Sequence, residues 1–575
     1  MLKLYRFLKP YTTYISVIII LLCMQVLSDL YLPTLMADIV DNGLANKDVH
    51  YILRIGGFML LIAAGGTLCA LIATYLSSIT AVGFGKVLRE TIFAKVEGFS
   101  LHEFDKFGTA TLITRTTNDV AQIQQVSVLI FSMMITAPLT CIGGVIMALQ
   151  QDKDLAWVLV VAISLLFAVI GVTLKRGLPL FKVMQKKIDK LNLVLREKLT
   201  GIRVIRAFNR IEKERVRFDD ASADLMDNAV KVNIIMAILM PAMMLIMNLT
   251  TVALVWFGAI RIEAATMQIG SLLAFIQYAT QILFSLLMLV MLFIMVPRAQ
   301  VSAVRINEVL ETNLDIVDPE KTEPANGKRG LVEFKNVSFR YSGADQPALK
   351  NITFSVKPGE LTAIIGGTGS GKSTMVNLIT RFYDVESGTV LIDGVDVRAM
   401  SQKALRAKIG FVPQQTVLFS GTIAENIKYG KENATMEEIK QAAYVAQATE
   451  FISGIEDGFD HYIAQGGINV SGGQKQRISI ARALIRKAEI YIFDDSFSAL
   501  DFKTDAKLRA ALRPEIAEST VFIIAQSVST VRDADRIIVL DEGQISGIGT
   551  HQELLITCKV YREIVASQLS KEELA

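Results

Sequence analysis

The chain has 575 residues, 52% of them hydrophobic, and a mean hydropathy of +0.42, which is high for a soluble protein. Its length suggests two or more domains, and a net charge of only +3 argues against nucleic acid as the main partner. Cys23, Cys69, Cys141 and Cys558 show no paired or metal-like spacing and the four histidines are scattered, so neither a disulfide framework nor a zinc site is read.

Met1 to Pro10 sets Lys3, Arg6 and Lys9 among Leu2, Leu4, Phe7 and Leu8, which predicts a short interfacial helix. The apolar run that follows has no small-residue cleavage site, so no signal peptide is expected. Crossing a bilayer takes about 20 apolar residues. Six stretches qualify: Tyr14 to Leu35, Ile52 to Ser77, Val126 to Leu149, Leu155 to Leu174, Ile238 to Ile260 and Ile269 to Val296. Three of their connections are short and poor in cations. The other two are long and basic: Ser78 to Gln125, with Lys86, Arg89, Lys95, Lys106 and Arg115, and Lys175 to Ala237, with a series from Arg176 to Lys231. The positive-inside rule puts these segments and both termini in the cytoplasm, beside the plasma or inner membrane. Their periodicity predicts that the membrane helices continue well beyond the bilayer.

Several side chains at membrane depth are candidates for contact with a transported compound. Asp29 is ionisable within the first span, where a functional role is the default; an outer-interface position near Asp38 and Asp41 is the alternative. Asn248, Gln277 and Gln281 are polar and suit the lining of a cavity. Met236, Met240, Met243, Met244, Met247, Met288, Met291 and Met295 suit a pocket that accepts many shapes, with ordinary packing as the alternative. Together they lean toward a small amphipathic substrate.

Glu311 to Gly330 is polar and contains Pro319, Pro324, Gly327 and Gly330, so it reads as a linker. It divides a transmembrane α-helical domain, 1–310, from an α/β domain, 331–575, whose alternation from Val332 to Phe339 suggests a half-buried strand. In the second domain Gly366-Gly367-Thr368-Gly369-Ser370-Gly371-Lys372-Ser373, followed by Thr374, matches the phosphate-binding P-loop. An apolar strand pattern, Leu361 to Ile365, precedes it and a helix pattern follows. Backbone N–H groups of such a loop surround phosphate oxygens at a helix N-terminus. Lys372 is expected at the β- and γ-phosphates and Ser373 on Mg2+. Ile490 to Asp494 is an apolar strand ending in a carboxylate, the placement an NTPase uses to set an acid beside Mg2+.

Val470-Ser471-Gly472-Gly473-Gln474-Lys475-Gln476-Arg477 resembles the signature sequence of ABC transporters. With six spans before one P-loop domain, the whole chain is similar to an ABC exporter half-transporter, a P-loop NTPase domain joined to a six-helix bundle. The resemblance implies that two such chains sandwich two ATP molecules, each between one P-loop and the other chain's signature. Tyr341 then matches the aromatic on adenine, Gln414 the Q-loop residue near Mg2+, and Ser498 to Asp501 the D-loop. Leu101 to Gly108 and Ala207 to Arg215 match the coupling segments. Three positions depart from the family pattern. Asp495 stands where Glu serves as the base, Gln526 where His switches on the γ-phosphate, and Gln465 where Glu often precedes the signature. A general base must lie within about 2.6–3.2 Å of its proton, and Asp is one methylene short. The resemblance is therefore to the degenerate-site subunit of bacterial heterodimeric multidrug exporters, whose partner supplies the Glu and the His. A homodimer hydrolysing slowly through Asp495, a lipid or peptide exporter, an importer of metal chelates and an ATP-dependent sensor are the competing readings.

Overall fold

The computed structural model describes residues 1, 3–321 and 329–568; the side chains of Leu178, Met291, Phe293 and Ile294 fall outside the described set. The expectations for Leu2, for the Met291 thioether and for linker residues 322–328 therefore lie outside the described residues. The chain separates into two compact units, one of Met1–Glu97 and Ala110–Thr312, the other of Gly98–Thr109 and Asn313–Ala575.

Six helices in the first unit are long and apolar enough to cross a membrane: Leu4–Leu44, Val49–Glu97, Thr109–Gln151, Ala156–Thr200, Ile211–Glu263 and Ile269–Glu311. Each covers one predicted span, the fourth all but Leu155, and all run well past it at one end or both. They pack chiefly in three pairs, first with second, third with sixth and fourth with fifth. The interior holds Leu166, Leu254, Phe275, Tyr278 and Ile282. Leu60 is 73% exposed and Trp256 69%, as expected where the solvent is lipid and only the backbone must satisfy itself internally.

The polar residues at the helix ends are mostly structural. Asp41 accepts hydrogen bonds from the Gly270 and Ser271 amides at 2.6 and 3.2 Å and so caps the last helix. Asp38 accepts from Tyr51 Oη at 2.8 Å and from Asn42 at 2.6 Å. Buried Arg115 pairs with Glu308 at 2.9 Å, and buried Asp119 accepts from Ser302 at 2.7 Å, tying the third helix to the sixth. The N-terminal segment Leu4–Tyr11 is a 3-10 helix, and its Leu4 and Leu8 are buried. The apolar face expected to rest on lipid is thus largely covered by protein.

The second unit contains two main sheets. The larger runs in the order Gln544–Gly549, Arg536–Asp541, Leu361–Gly366, Thr520–Ile524, Ile490–Asp494, Ile409–Val412. All neighbours are parallel except the first pair. A parallel sheet covered on both faces demands near-continuous apolar strands, and Ile490–Asp494 and Thr520–Ile524 are buried at every position. The smaller sheet is antiparallel, ordered Leu349–Val356, Val332–Phe339, Ser387–Ile392, Val395–Asp396.

The start of the predicted linker is docked within this unit. Ile316 is buried, the Val317 carbonyl accepts from Arg381 at 3.3 Å, and Asp318 accepts from the Gln402 amide at 3.0 Å. The short helix Leu101–Phe107 supplies another anchor: buried Glu103 accepts from the Ser100 and Asp315 amides, both at 2.7 Å. Burial pushes the Glu103 carboxyl up, but these hydrogen bonds outweigh it and leave the group below the usual range. Glu103→Gln should cost about 1.5–3 kcal/mol of local stability, as expected for a hydrogen bond to a charged group. Amide hydrogen exchange at Asp315 should accelerate by at least about tenfold; unchanged exchange would show that Glu103 does not hold the segment.

Candidate functional site

The strand Leu361–Gly366 lies between Thr520–Ile524 and Arg536–Asp541, so the loop after it opens at the centre of the sheet's C-terminal edge. That is where open α/β sheets bind ligands. The loop runs into the helix Lys372–Ile379. Gly369 and Gly371 have φ of +81° and +99°, a region that glycine enters without strain. At Gly371 an added Cβ would also lie 2.7 Å from Leu349 Cδ2 and 2.8 Å from the Ala348 carbonyl oxygen. Lys372 is buried, and its Nζ donates to the Gly366 and Gly367 carbonyls at 2.8 and 2.7 Å. Burial lowers its pKa, while Asp495 and Asp494 push the other way. The Ser370 hydroxyl is buried without a hydrogen-bond partner among the described residues. A buried cation, an unpartnered hydroxyl and helix N-terminal amides together suit a polyphosphate anion.

Asp494 ends the strand Ile490–Asp494 and accepts from the Ser373 hydroxyl at 3.2 Å. Its pKa is raised, first by burial and then by Asp495, against the pull of Ser373 and Lys372. A carboxylate and a hydroxyl this close are hard oxygen donors that fit Mg2+. Asp495 has φ of +49°, and its amide donates to the Ile524 carbonyl at 3.0 Å. Gln414 Nε2 donates to Asp495 Oδ2 at 3.4 Å, so the Asp495 and Gln414 side chains meet. Gln526 follows the strand Thr520–Ile524 with an exposed side chain. Its backbone carbonyl accepts from Gln568 Nε2 at 2.8 Å, and Gln568 Oε1 accepts from the Val528 amide at 2.8 Å. Among the described residues no hydrogen bond joins the Gln526 side chain to Asp495.

Tyr341 is 37% exposed and packs edge-on against Phe339 and Tyr383, with ring centroids at 4.9 and 5.4 Å. Its hydroxyl meets the Thr374 hydroxyl at 2.9 Å, which fixes the ring beside the P-loop helix. Tyr383 is pushed up to about 12, mainly by burial and then by Asp105, to which it is hydrogen-bonded. Asp105 lies in Leu101–Phe107, so an aromatic cluster joins that helix to the P-loop surroundings. Sequence reasoning missed Tyr383 and Asp105; the signal available was the aromatic pair Phe382-Tyr383 directly after the P-loop helix.

Ser471 caps the helix Gly472–Leu484. Its Oγ accepts from the Gln474 amide at 3.3 Å, and Gln474 Oε1 accepts from the Ser471 amide at 2.8 Å. This capping box leaves Ser471 and Gly472 exposed at a helix N-terminus. Gly473 approaches the Ala499 carbonyl, where a Cβ would lie at 3.1 Å, and buried Gln476 accepts from the Ala499 amide at 3.3 Å. Ser471 to Gln476 is thus braced on Ser498 to Asp501. Among the described residues, no hydrogen bond or ion pair joins it to the chain's own P-loop.

Residues 15–296 match the family of the ABC transporter transmembrane region, and residues 349–498 match the ABC transporter family. The chain belongs to the ABC transporters. An uncharacterized ABC transporter ATP-binding protein of Mycobacterium tuberculosis is 44% identical over 98% of this chain and 97% of its own length. A fatty acid ABC transporter ATP-binding/permease protein of the same species is 34% identical over 83% of this chain and 75% of its own. An ATP-dependent lipid A-core flippase of Chromobacterium violaceum is 30% identical over 99% and 97%. The solved structure of a bacterial Atm1-family ABC exporter with ATP bound aligns with a TM-score of 0.82 at 26% identity, covering 97% of this chain and 98% of that one. With six candidate membrane helices and one ATP-binding domain, this ABC transporter chain is an exporter half-transporter, an ATPase coupled to transport.

Of the two coupling segments implied by the signature resemblance, Leu101–Phe107 forms a separate short helix ended by Gly108 at φ +72°. The second, Ala207 to Arg215, spans a turn between two helices. The short helix is Ile202–Ala207, the turn falls at Phe208 to Arg210 with Asn209 at φ +50°, and Ile211 begins the next long helix.

Proposed function

We propose that this ABC transporter chain is the degenerate-site half of a heterodimeric exporter that moves amphipathic compounds out of the cell. The observation that carries the reading is the pair Asp495 and Gln526 beside an otherwise complete phosphate cradle. Gly366 to Thr374 binds the phosphates of ATP, Lys372 balances their charge, and Tyr341 stacks on the base. Ser373, Asp494 and Gln414 would hold Mg2+, which when bound would neutralise charge on the phosphate oxygens. A base of full reach and a cationic switch are both lacking, so this chain's own site binds ATP and turns it over slowly. Ser471 to Gln474 completes the site of a second half-transporter that carries the Glu and the His. The basic long connections support a cytoplasmic ATP-binding domain.

A second reading, export of a lipid or fatty acid, draws on the likeness to the fatty acid transporter protein and the lipid A-core flippase. It shares the same ATP chemistry and differs only in cargo.

The test is ATP hydrolysis in lipid nanodiscs by this chain alone and by this chain co-purified with its partner. The complex should turn over at least about tenfold faster per ATP site, a conservative share of what a general base contributes. Equal rates would establish a working homodimer and overturn the heterodimer.

A further inference from the structure

We propose that Asp29 and Gln281 form a headgroup subsite for ammonium-bearing amphiphiles in the membrane helices. The inference rests on the exporter reading and narrows its substrate class. Asp29 lies fifteen residues before Leu44, and Gln281 lies twelve after Ile269, depths of about 22 and 18 Å from those helix ends. Gln281 Nε2 donates to the Asp29 carbonyl at 3.3 Å, so the two side chains leave neighbouring turns of adjacent helices.

The patch carries an uncompensated charge. Gln281 uses one of its two amide N–H donors on the Asp29 backbone, and its Oε1 is buried with no partner among the described residues. The Asp29 carboxylate receives one hydrogen bond from Gln25 and, among the described residues, no ion pair. No Lys or Arg occurs in Thr12–Asp38, nor in the last helix before Arg298. The buried Gln281 Oε1 and the Asp29 carboxylate are thus acceptors in need of donors, and the carboxylate has no cation on these stretches of either helix to offset its charge. A carboxylate at this depth is costly unless it meets a partner or a wet cavity. Gln277 and Thr280 are exposed on the turn next to Gln281, and exposed Phe284 follows one turn later. A polar strip that passes into the exposed Phe284 ring complements an amphiphile whose head donates hydrogen bonds and carries positive charge. It disfavours a carboxylate head, which would meet Asp29 as a like charge.

The experiment measures specific binding of radiolabelled dodecylamine, dodecanol and dodecanoate to the full-length chain in nanodiscs, over empty nanodiscs. Asp29→Asn should weaken dodecylamine by about tenfold, since an uncompensated charge pair is lost, and leave dodecanol unchanged. Asp29→Glu should stay within about threefold of wild type, and Gln281→Leu should weaken dodecylamine by a few-fold. Unchanged dodecylamine binding in Asp29→Asn, an equal loss for dodecanol, or tighter binding of dodecanoate than dodecylamine would each overturn the subsite. Amphiphile-stimulated ATP hydrolysis by the complex with its partner scores the exporter reading separately. Stimulation by dodecanoate alone keeps the exporter and removes the ammonium subsite; no stimulation by any of the three removes both.

Discussion

In the complex with its partner, Ser471→Ala in this chain should cut ATP hydrolysis by about 10²–10³, the usual loss for one preorganised donor. Lys372→Ala should cost less than about tenfold, or ~1.4 kcal/mol of barrier. The asymmetry follows from where each residue acts. Lys372 sits over this chain's own loop carbonyls and beside Asp494 and Asp495, at the site proposed to lack a base of full reach. Its loss weakens nucleotide occupancy and closure but touches little of the turnover. Ser471 stands at an exposed helix N-terminus that makes no hydrogen bond to its own P-loop among the described residues, and in the proposed sandwich it faces the ATP that is hydrolysed. Ser471→Ala also removes a helix cap, worth about 1 kcal/mol. Ser471→Asp separates the two effects, because Asp caps as well as Ser but sets a negative charge toward the phosphates. It should fold at least as well as Ser471→Ala and be no more active. Equal losses for the Lys372 and Ser471 variants would mean two equivalent sites. A worse Lys372 variant would make this chain's own site the engine.

The parts legible in the sequence are those written in contiguous residues. Membrane spans follow from the length of an apolar run, and the strand, loop and helix around Gly366 to Ser373 follow from a local pattern. What escaped depends on residues far apart in the chain. Nothing near Asp105 indicates that it will meet Tyr383, and nothing near Glu103 indicates that it will hold the Asp315 amide. The turn inside Ala207 to Arg215 is not marked by glycine or proline. Asn209 provides the left-handed residue instead, a role Asn tolerates better than most. The N-terminal segment shows the same limit. Alternating cations and leucines fit an interfacial helix, but burial of Leu4 and Leu8 depends on packing that no local pattern reveals.

If this chain's own site is degenerate as proposed, supplying a Glu at 495 and a His at 526 should awaken it. With the partner's catalytic Glu replaced by Gln, so that its site is silent, Asp495→Glu should raise hydrolysis by about tenfold, the lower part of what a positioned base supplies. The added methylene extends the carboxylate by about 1.5 Å, past the Gln414 amide that now meets Asp495 Oδ2 at 3.4 Å. The gain should stay partial for two reasons. The position has φ of +49°, where Asp is more at ease than Glu, so part of the extra reach is lost to backbone strain. Gln526 also remains a neutral, exposed side chain on a loop held by Gln568, unable to place positive charge on the γ-phosphate. Asp495→Glu with Gln526→His should therefore exceed the single change. The two effects should not simply add, since both side chains act on one phosphate. Equal rates in the single and double variants would show that Gln526 is not limiting. A double variant no faster than wild type would show that neither substitution is what slows this site, and the degenerate-site assignment would fall with it.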